Sequence, residues 1–222
     1  MNWEDEGFLL SKKKFRENAN IISVFTEKHG KARGIVYGGT SRKIKNYLQV
    51  GNKIFLVHNS KNRNRIGYFK TEIIEAISPR YFDDKKRSYS ILSASELLDT
   101  LLPDEQSYKK IYISFNNLIK NFNHKNWPYI YIFWEIHLIK ELGFGFKIDK
   151  TNMEKEVITV DIDNIAYKIP RYIINEEMPK NFSEKIINQS LSFTRNLLLN
   201  KFFLPNNLFF PRSRIVFENF FI

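Results

Sequence analysis

The first 76 residues alternate short apolar runs with polar turns. Gly7-Phe8-Leu9-Leu10 leads into the basic run Lys12-Lys13-Lys14, and Asn20 to Thr26 is rich in β-branched residues. His29-Gly30-Lys31 turns that segment into the next, Ala32 to Tyr37. A longer polar loop carrying Arg42, Lys43 and Lys45 follows. Lys53 to His58 and Ile66 to Ile74 then repeat the pattern, joined by Lys61-Asn62-Arg63-Asn64-Arg65. β-Branched and aromatic side chains suit a pleated, half-buried surface. Five such runs, spaced by turns at roughly 10–15 residues, predict a small closed barrel. At this size an OB-fold barrel is expected, with an SH3-like barrel as the alternative.

The pattern changes period after Ser78-Pro79. Within residues 83–102, Tyr89, Leu92, Leu97, Leu98, Leu101 and Leu102 fall mostly at helical spacing, and Pro103 ends the run. Tyr108, Ile111, Tyr112, Phe115, Leu118, Ile119 and Phe122 form a cleaner stripe. Trp127-Pro128 opens a third helix that runs to Gly143, a glycine stop. Residues 144–181 lose periodicity and contain Pro170 and Pro179, which predicts loops and a hairpin. Ser183 is placed to cap a fourth helix through about Asn200, and a short element follows Pro211. The expected organisation is an α+β chain, with an OB-fold nucleic-acid-binding domain at 1–79 and a mainly helical domain at 80–222. The latter carries an irregular insert at about 144–181.

Charge narrows the function. The chain of 222 residues carries +11, and residues 1–87 hold 19 Lys and Arg against 9 Asp and Glu, a surplus of +10. A bias of base composition would load both halves alike, so the asymmetry points to a polyanion bound by the first half. Cysteine is absent, which excludes disulfides, thiolate zinc sites and cysteine nucleophiles. The acidic start Met1-Asn2-Trp3-Glu4-Asp5-Glu6 does not resemble a signal peptide, and no apolar run approaches the ~18 residues of a membrane span. A cytoplasmic, nucleoid-associated location is expected.

Candidate catalytic patterns fail one by one. Gly38-Gly39-Thr40-Ser41-Arg42-Lys43 lacks the second glycine and the Gly-Lys-Ser/Thr ending of a nucleotide-binding P-loop. His29, His58, His124 and His137 show no ligand spacing. Asp161-x-Asp163 would suit Mg²⁺ in a nuclease, but no third carboxylate accompanies it, and acidic turns are common in irregular segments. Glu4-Asp5-Glu6 and Asp83-Asp84 read as solvated or helix-starting acids. No G-x-S-x-G occurs. The chain is therefore not expected to be an enzyme, and no cofactor or metal is expected.

Several segments combine into a more specific pattern. They are Trp3-x-x-Glu6-Gly7-Phe8-x-Leu10, Phe25-Thr26-x-Lys28-His29-Gly30-Lys31, and Gly34-x-Val36-x-Gly38-Gly39-x-x-Arg42. Leu48-Gln49-Val50-Gly51-Asn52, Ala94-x-Glu96-Leu97-Leu98, Leu101-Leu102-Pro103, Trp134-Glu135 and Glu141-Leu142-Gly143-Phe144 follow in order. Together they resemble the RecO family of bacterial recombination mediators over roughly residues 1–150. The likeness resumes at 183–222, where Arg212-Ser213-Arg214 is similar to a family ending. Many family members carry a cysteine cluster that would begin near Thr151, so the zinc site some of them have is expected to be missing.

The resemblance implies an OB fold followed by a helical domain and a role in DNA repair by the RecF pathway. It further implies binding of single- and double-stranded DNA and annealing of complementary strands. It also implies help in loading RecA onto strands coated by single-strand-binding protein, in concert with RecR. The phosphates met by the basic loops are then those of a DNA backbone. The candidate DNA-binding residues are Lys12, Lys13, Lys14, Arg16, Lys31, Arg33, Arg42, Lys43, Lys45, Arg63 and Arg65, with Tyr37, Tyr47, Tyr68 and Phe69 as candidates for base stacking. The near-neutral second half is read as a protein-docking surface for the acidic, apolar-ended tail of single-strand-binding protein. Lys140 and Arg195 are the candidate cations at its mouth. An RNA- or ribosome-associated OB-fold protein is the alternative function.

Overall fold

A computed structural model describes residues 2–39, 41–60, 66–145, 156–179 and 181–222. The candidates Arg63 and Arg65, and position Thr151, lie outside them. Strands β1 (Asn2–Phe15), β2 (Ala19–Thr26), β3 (Gly30–Tyr37), β4 (Lys53–Asn59) and β5 (Gly67–Glu75) close a barrel in the order β1-β2-β3-β5-β4. Five strands close because β1 is long enough to serve two neighbours. Its first half pairs with β4, from Asn2↔Asn59 to Phe8↔Lys53, and its second half with β2, from Gly7↔Thr26 to Phe15↔Ala19. A register shift between Leu9 and Ser11 marks the changeover, as expected where a strand bends sharply. β3 meets β5 in a short parallel pairing, Gly34↔Gly67 and Ile35↔Tyr68.

Alternation along the strands sends Leu9, Ile22, Val24, Ala32, Val36, Ile54, Leu56 and Phe69 into the barrel core. The predicted polar loop after Tyr37 contains a short helix, α1 (Arg42–Tyr47), whose Ile44 and Tyr47 pack against that core. Gly38 has a φ of +70°, a left-handed turn that glycine adopts without strain, and it lets the chain leave β3. Ser41 caps α1 by accepting the N–H of Ile44 at 3.4 Å. Asn52, fully buried, then ties the barrel to the segment after it. Its Oδ1 accepts the N–H groups of Ile77 (2.8 Å) and Ser78 (3.0 Å), and its Nδ2 donates to the Tyr47 carbonyl (2.9 Å).

Beyond the barrel come α2 (Lys85–Leu101) and α3 (Lys109–Lys120). Asp84 caps α2 through the N–H of Arg87 at 3.0 Å, which fits the reading of Asp83-Asp84 as a helix start. The chain forms two compact units, 1–113 and 114–222, so the unit that holds the barrel continues through α2.

The second unit is built on α4 (Trp127–Glu141), most of whose residues are buried. Around it lie the hairpin β6 (Val157–Ile162) and β7 (Ile165–Pro170), then α5 (Arg171–Asn175), α6 (Glu184–Leu198) and α7 (Arg212–Asn219). Ser183 caps α6 by accepting the Ile186 N–H at 3.3 Å. The hairpin turns on Asp163 and Asn164, with φ of +53° and +63°, the two left-handed residues of a two-residue hairpin loop.

A buried ion pair runs through this unit. The Arg214 guanidinium donates from Nε to Glu135 Oε1 (2.6 Å) and from Nη2 to Oε2 (3.1 Å), and both side chains are inaccessible to solvent. Nη1 reaches Glu218 at 3.0 Å, and Nη2 also reaches the Leu191 carbonyl at 2.8 Å. Tyr131 and Thr194 donate their hydroxyls to the remaining lone pairs of Glu135, at 3.0 and 2.5 Å. Burial alone would push the Arg214 pKa down, but Glu135, Tyr131 and Glu218 more than offset it and hold it above the ordinary arginine value.

Candidate nucleic-acid interface

The strand register gathers the basic segments at one end of the barrel. Phe15 faces Ala19 and Ala19 faces Tyr37, so the end of β1, the β1–β2 turn and the end of β3 lie side by side. Helix α1 starts five residues after Tyr37. Lys12 shows that the two basic stretches meet. It donates to the Leu48 carbonyl at 2.6 Å, and its pKa is lowered first by partial burial and then by repulsion from Lys45. Lys13, Lys14, Arg42, Lys43 and Lys45 are exposed, and among the described residues no carboxylate pairs with them. Arg16 extends this end, its guanidinium 5.2 Å from the Phe15 ring centre. Arg42 and Lys43 occupy the first turn of α1, which holds no acid. Cations there oppose the helix dipole, so helix stability does not account for their placement.

Of the four aromatic candidates, two face outward. Tyr37 and Tyr68 are 60% and 38% exposed, with ring centroids 6.3 Å apart on neighbouring strands. Phe69 is 2% exposed in the barrel core. Tyr47 is half-buried and donates its hydroxyl to the Thr71 carbonyl at 2.7 Å, which fixes α1 to β5. Both are structural, and the sequence pattern gave no sign of which side they take.

Lys31 does not lie on the exposed surface. It points out of the barrel, as do Arg33, Ile35 and Tyr37 by alternation, but the end of α2 and the chain after it cover it. Its Nζ donates to the Asp99 carbonyl at 2.7 Å and pairs with Asp104 at 3.1 Å. Arg33 keeps half its side chain in solvent and shares Asp104 at 3.5 Å. Lys31 thus anchors a strap, residues 103–107, across the turn between β2 and β3. Glu105 donates its N–H to the Lys31 carbonyl at 2.7 Å, and Ser107 donates to the Glu27 carbonyl at 2.9 Å. Gly30 allows the approach: a Cβ there would stand 1.8 Å from the Gln106 carbonyl oxygen. The acids at the N-terminus are not merely solvated either. Asp5 accepts the Lys28 N–H at 3.2 Å and contacts His29 Nδ1 at 3.1 Å, while Glu6 pairs with Lys53 at 2.7 Å.

The strap closes one side of a cavity of about 480 Å³ at the other end of the barrel, lined by Trp3, His29, Arg33, His58 and Glu105 among others. No periodic signal marks it, because its walls come from five separated stretches of chain.

The remaining site candidates lie in the second unit. Asp161 and Asp163 form the hairpin turn and not a metal pair: Asp161 accepts the Asn164 N–H at 2.9 Å, and Asp163 pairs with Lys201. Among the described residues no cluster of three or more His, Asp or Glu side chains is placed to hold a metal. Lys140 borders a groove of about 370 Å³ lined by Phe133, Ile136, Ile173 and Met178, and pairs with Glu176 across it at 2.9 Å. Arg195 does not line this groove; it pairs with Glu218 at 3.2 Å. No described helix is long and apolar enough to cross a membrane.

Comparison with known proteins gives a consistent match. The family described as "Recombination protein O N terminal" matches residues 1–77, and "Recombination protein O C terminal" matches residues 83–158. The proteins named DNA repair protein RecO of Roseobacter denitrificans and of Wolbachia sp. subsp. Drosophila simulans are each 30% identical to the chain. The alignments extend over 172 and 173 residues, covering 77% of this chain and 69% of each relative. With a closed five-stranded barrel matched by the first family and a helical region by the second, the chain belongs to the RecO family of DNA repair and recombination mediators.

Proposed function

We propose that the protein binds single- and double-stranded DNA through the basic end of its barrel, anneals complementary strands, and assists RecA loading onto strands coated by single-strand-binding protein, together with RecR. The observation that carries this reading is the convergence of exposed cations from β1 and α1, without carboxylate partners among the described residues, beside the outward Tyr37–Tyr68 pair. Lysines and arginines without carboxylate partners release counterions from a phosphate backbone and lower the repulsion between two strands. Outward aromatic rings add stacking that tolerates any base, on the order of 1–3 kcal/mol each. The test is annealing of complementary oligonucleotides coated with the cognate single-strand-binding protein, in chelator and without nucleotide. Acceleration by the protein under those conditions is expected. Absence of annealing, or a requirement for Mg²⁺, would contradict the reading, and annealing of RNA alone would favour the RNA-associated alternative.

The groove beside Lys140 supports a second element of the function, docking of the acidic, apolar-ended tail of single-strand-binding protein. Its walls are apolar and a cation stands at its edge, already held by the carboxylate of Glu176 that a tail carboxylate would replace. Titration of the full chain with a labelled tail peptide is expected to show saturable binding, weakened roughly tenfold by Lys140→Glu, a value typical of one charged contact at an interface. Arg195→Glu is expected to change the affinity little, since Arg195 lies outside the groove. The reverse ranking would refute the assignment.

A further inference from the structure

We propose that the cavity at the mouth of the barrel receives one unpaired nucleotide of a bound single strand and thereby lets the protein distinguish single-stranded from duplex DNA; the proposal rests on the DNA-binding reading above. Its volume of about 480 Å³ suits one small-molecule-sized group. A base still paired within a duplex is not available to it without the cost of unpairing and unstacking.

The chemistry of the walls matches a nucleotide. A stack of planar rings lies on one side: Trp3 packs against His29 at 4.1 Å with an interplanar angle of 12°, and against His58 at 4.8 Å. His58 lies on β4 and His29 in the turn between β2 and β3, to either side of β1, which carries Trp3. The His29 ring is held by Asp5 and keeps about a third of its surface in solvent. Lys28 and Arg33 supply cations suited to a phosphate. Glu105 supplies an acceptor for the amino group of a base.

Glu105 carries the sharpest signal. It holds a φ of +59°, a left-handed conformation disfavoured for a residue with a side chain. The strap keeps it there through the Glu105 N–H bond to the Lys31 carbonyl and the Lys31–Asp104 pair. Glycine and asparagine are the residues that most readily take such a position, although Arg16 and Glu176 also hold it in this chain. What sets Glu105 apart is that it combines this backbone conformation with a place in the cavity lining. The location also fits one continuous strand. β3 spans eight residues, roughly 25 Å at the usual strand rise, and its outer face carries Arg33 near the cavity and Tyr37 near the basic end. A strand of a few nucleotides along that face would reach both.

The probe is a thymidine octamer with a single central 2-aminopurine, a fluorescent base that carries an amino donor, titrated with the full chain beside a duplex of the same length. Wild type is expected to lower the emission of the single strand on binding. Glu105→Gly, which removes the carboxylate and relieves the backbone, and Ile66→Trp, which fills the mouth from an exposed lining position, are expected to lose most of that change. Both variants should bind the single strand about tenfold more weakly with duplex affinity unaltered. If wild type binds both DNAs but leaves the emission unchanged, or both variants keep the wild-type ratio of single-strand to duplex affinity, the cavity assignment is wrong while the DNA-binding reading stands. If neither DNA is bound, both fall together.

Discussion

Arg214→Met is expected to destabilise the second unit by about 3–5 kcal/mol, the usual cost of stripping one partner from a buried ion pair. The substitution removes a guanidinium that reaches Glu135, Glu218, the Leu191 carbonyl and Thr194 from a site closed to solvent. Methionine approximates the stem in volume, so packing loss alone would cost less. What dominates is the Glu135 carboxylate, left buried with only the Tyr131 and Thr194 hydroxyls as partners. Glu135→Leu should be costly for the mirror reason. The double variant should recover part of the loss, because an apolar pair has no charge to desolvate. Trp127 and Trp134, both buried in this unit, report its unfolding by fluorescence in a denaturant titration. A single-variant cost below about 1 kcal/mol, the range of exposed ion pairs, would show that water or a neighbouring group already compensates the charge.

The same pair shows where reading a sequence stops. Helix α4 was legible from its apolar content and its Trp127-Pro128 start, and the short element expected after Pro211 is the helix α7. That Glu135 meets Arg214 was not, because the partners are 79 positions apart and neither interrupts a periodic pattern. The barrel was legible strand by strand, since period-two alternation with turn punctuation is local chemistry. Within it, inward Phe69 and outward Tyr68 follow from the pleat once one of them is fixed, yet nothing local fixes it. Lys31 failed as a surface cation for a related reason. Its alternation is outward, and the end of α2 together with the strap at 103–107 covers it. Glu105, at the cavity, sits between two helical patterns in a stretch where the sequence marks only the stop at Pro103. Helix α1 was hidden too: six residues starting with two cations offer weak propensity, and it persists through Ile44 and Tyr47 packing on the barrel.

Charge reversal at Arg42, Lys43 and Lys45 is expected to weaken binding to every DNA sequence alike, on the order of a hundredfold at physiological salt if each side chain neutralises one phosphate. Each lost contact should also flatten the dependence of log affinity on log salt by about one, so the triple variant should lose about three from the slope. The positions suit the test because the side chains are exposed, without carboxylate partners among the described residues, and outside the core that Ile44 and Tyr47 complete. Glutamate at positions 42 and 43 agrees with the helix dipole where Arg42 and Lys43 oppose it, whereas glutamate in place of Lys45, in the last turn, opposes it. The effects on the helix partly cancel, and a thermal unfolding midpoint close to that of the wild type is expected to separate lost phosphate contacts from a melted helix. Lys31→Met is the informative contrast. Its ammonium is held by the Asp99 carbonyl and the Asp104 carboxylate, so the variant should loosen the strap and lower stability while keeping the salt slope of the wild type. An unchanged slope in the triple variant, or a slope lost in Lys31→Met, would move the phosphate track away from the basic end and toward the strap.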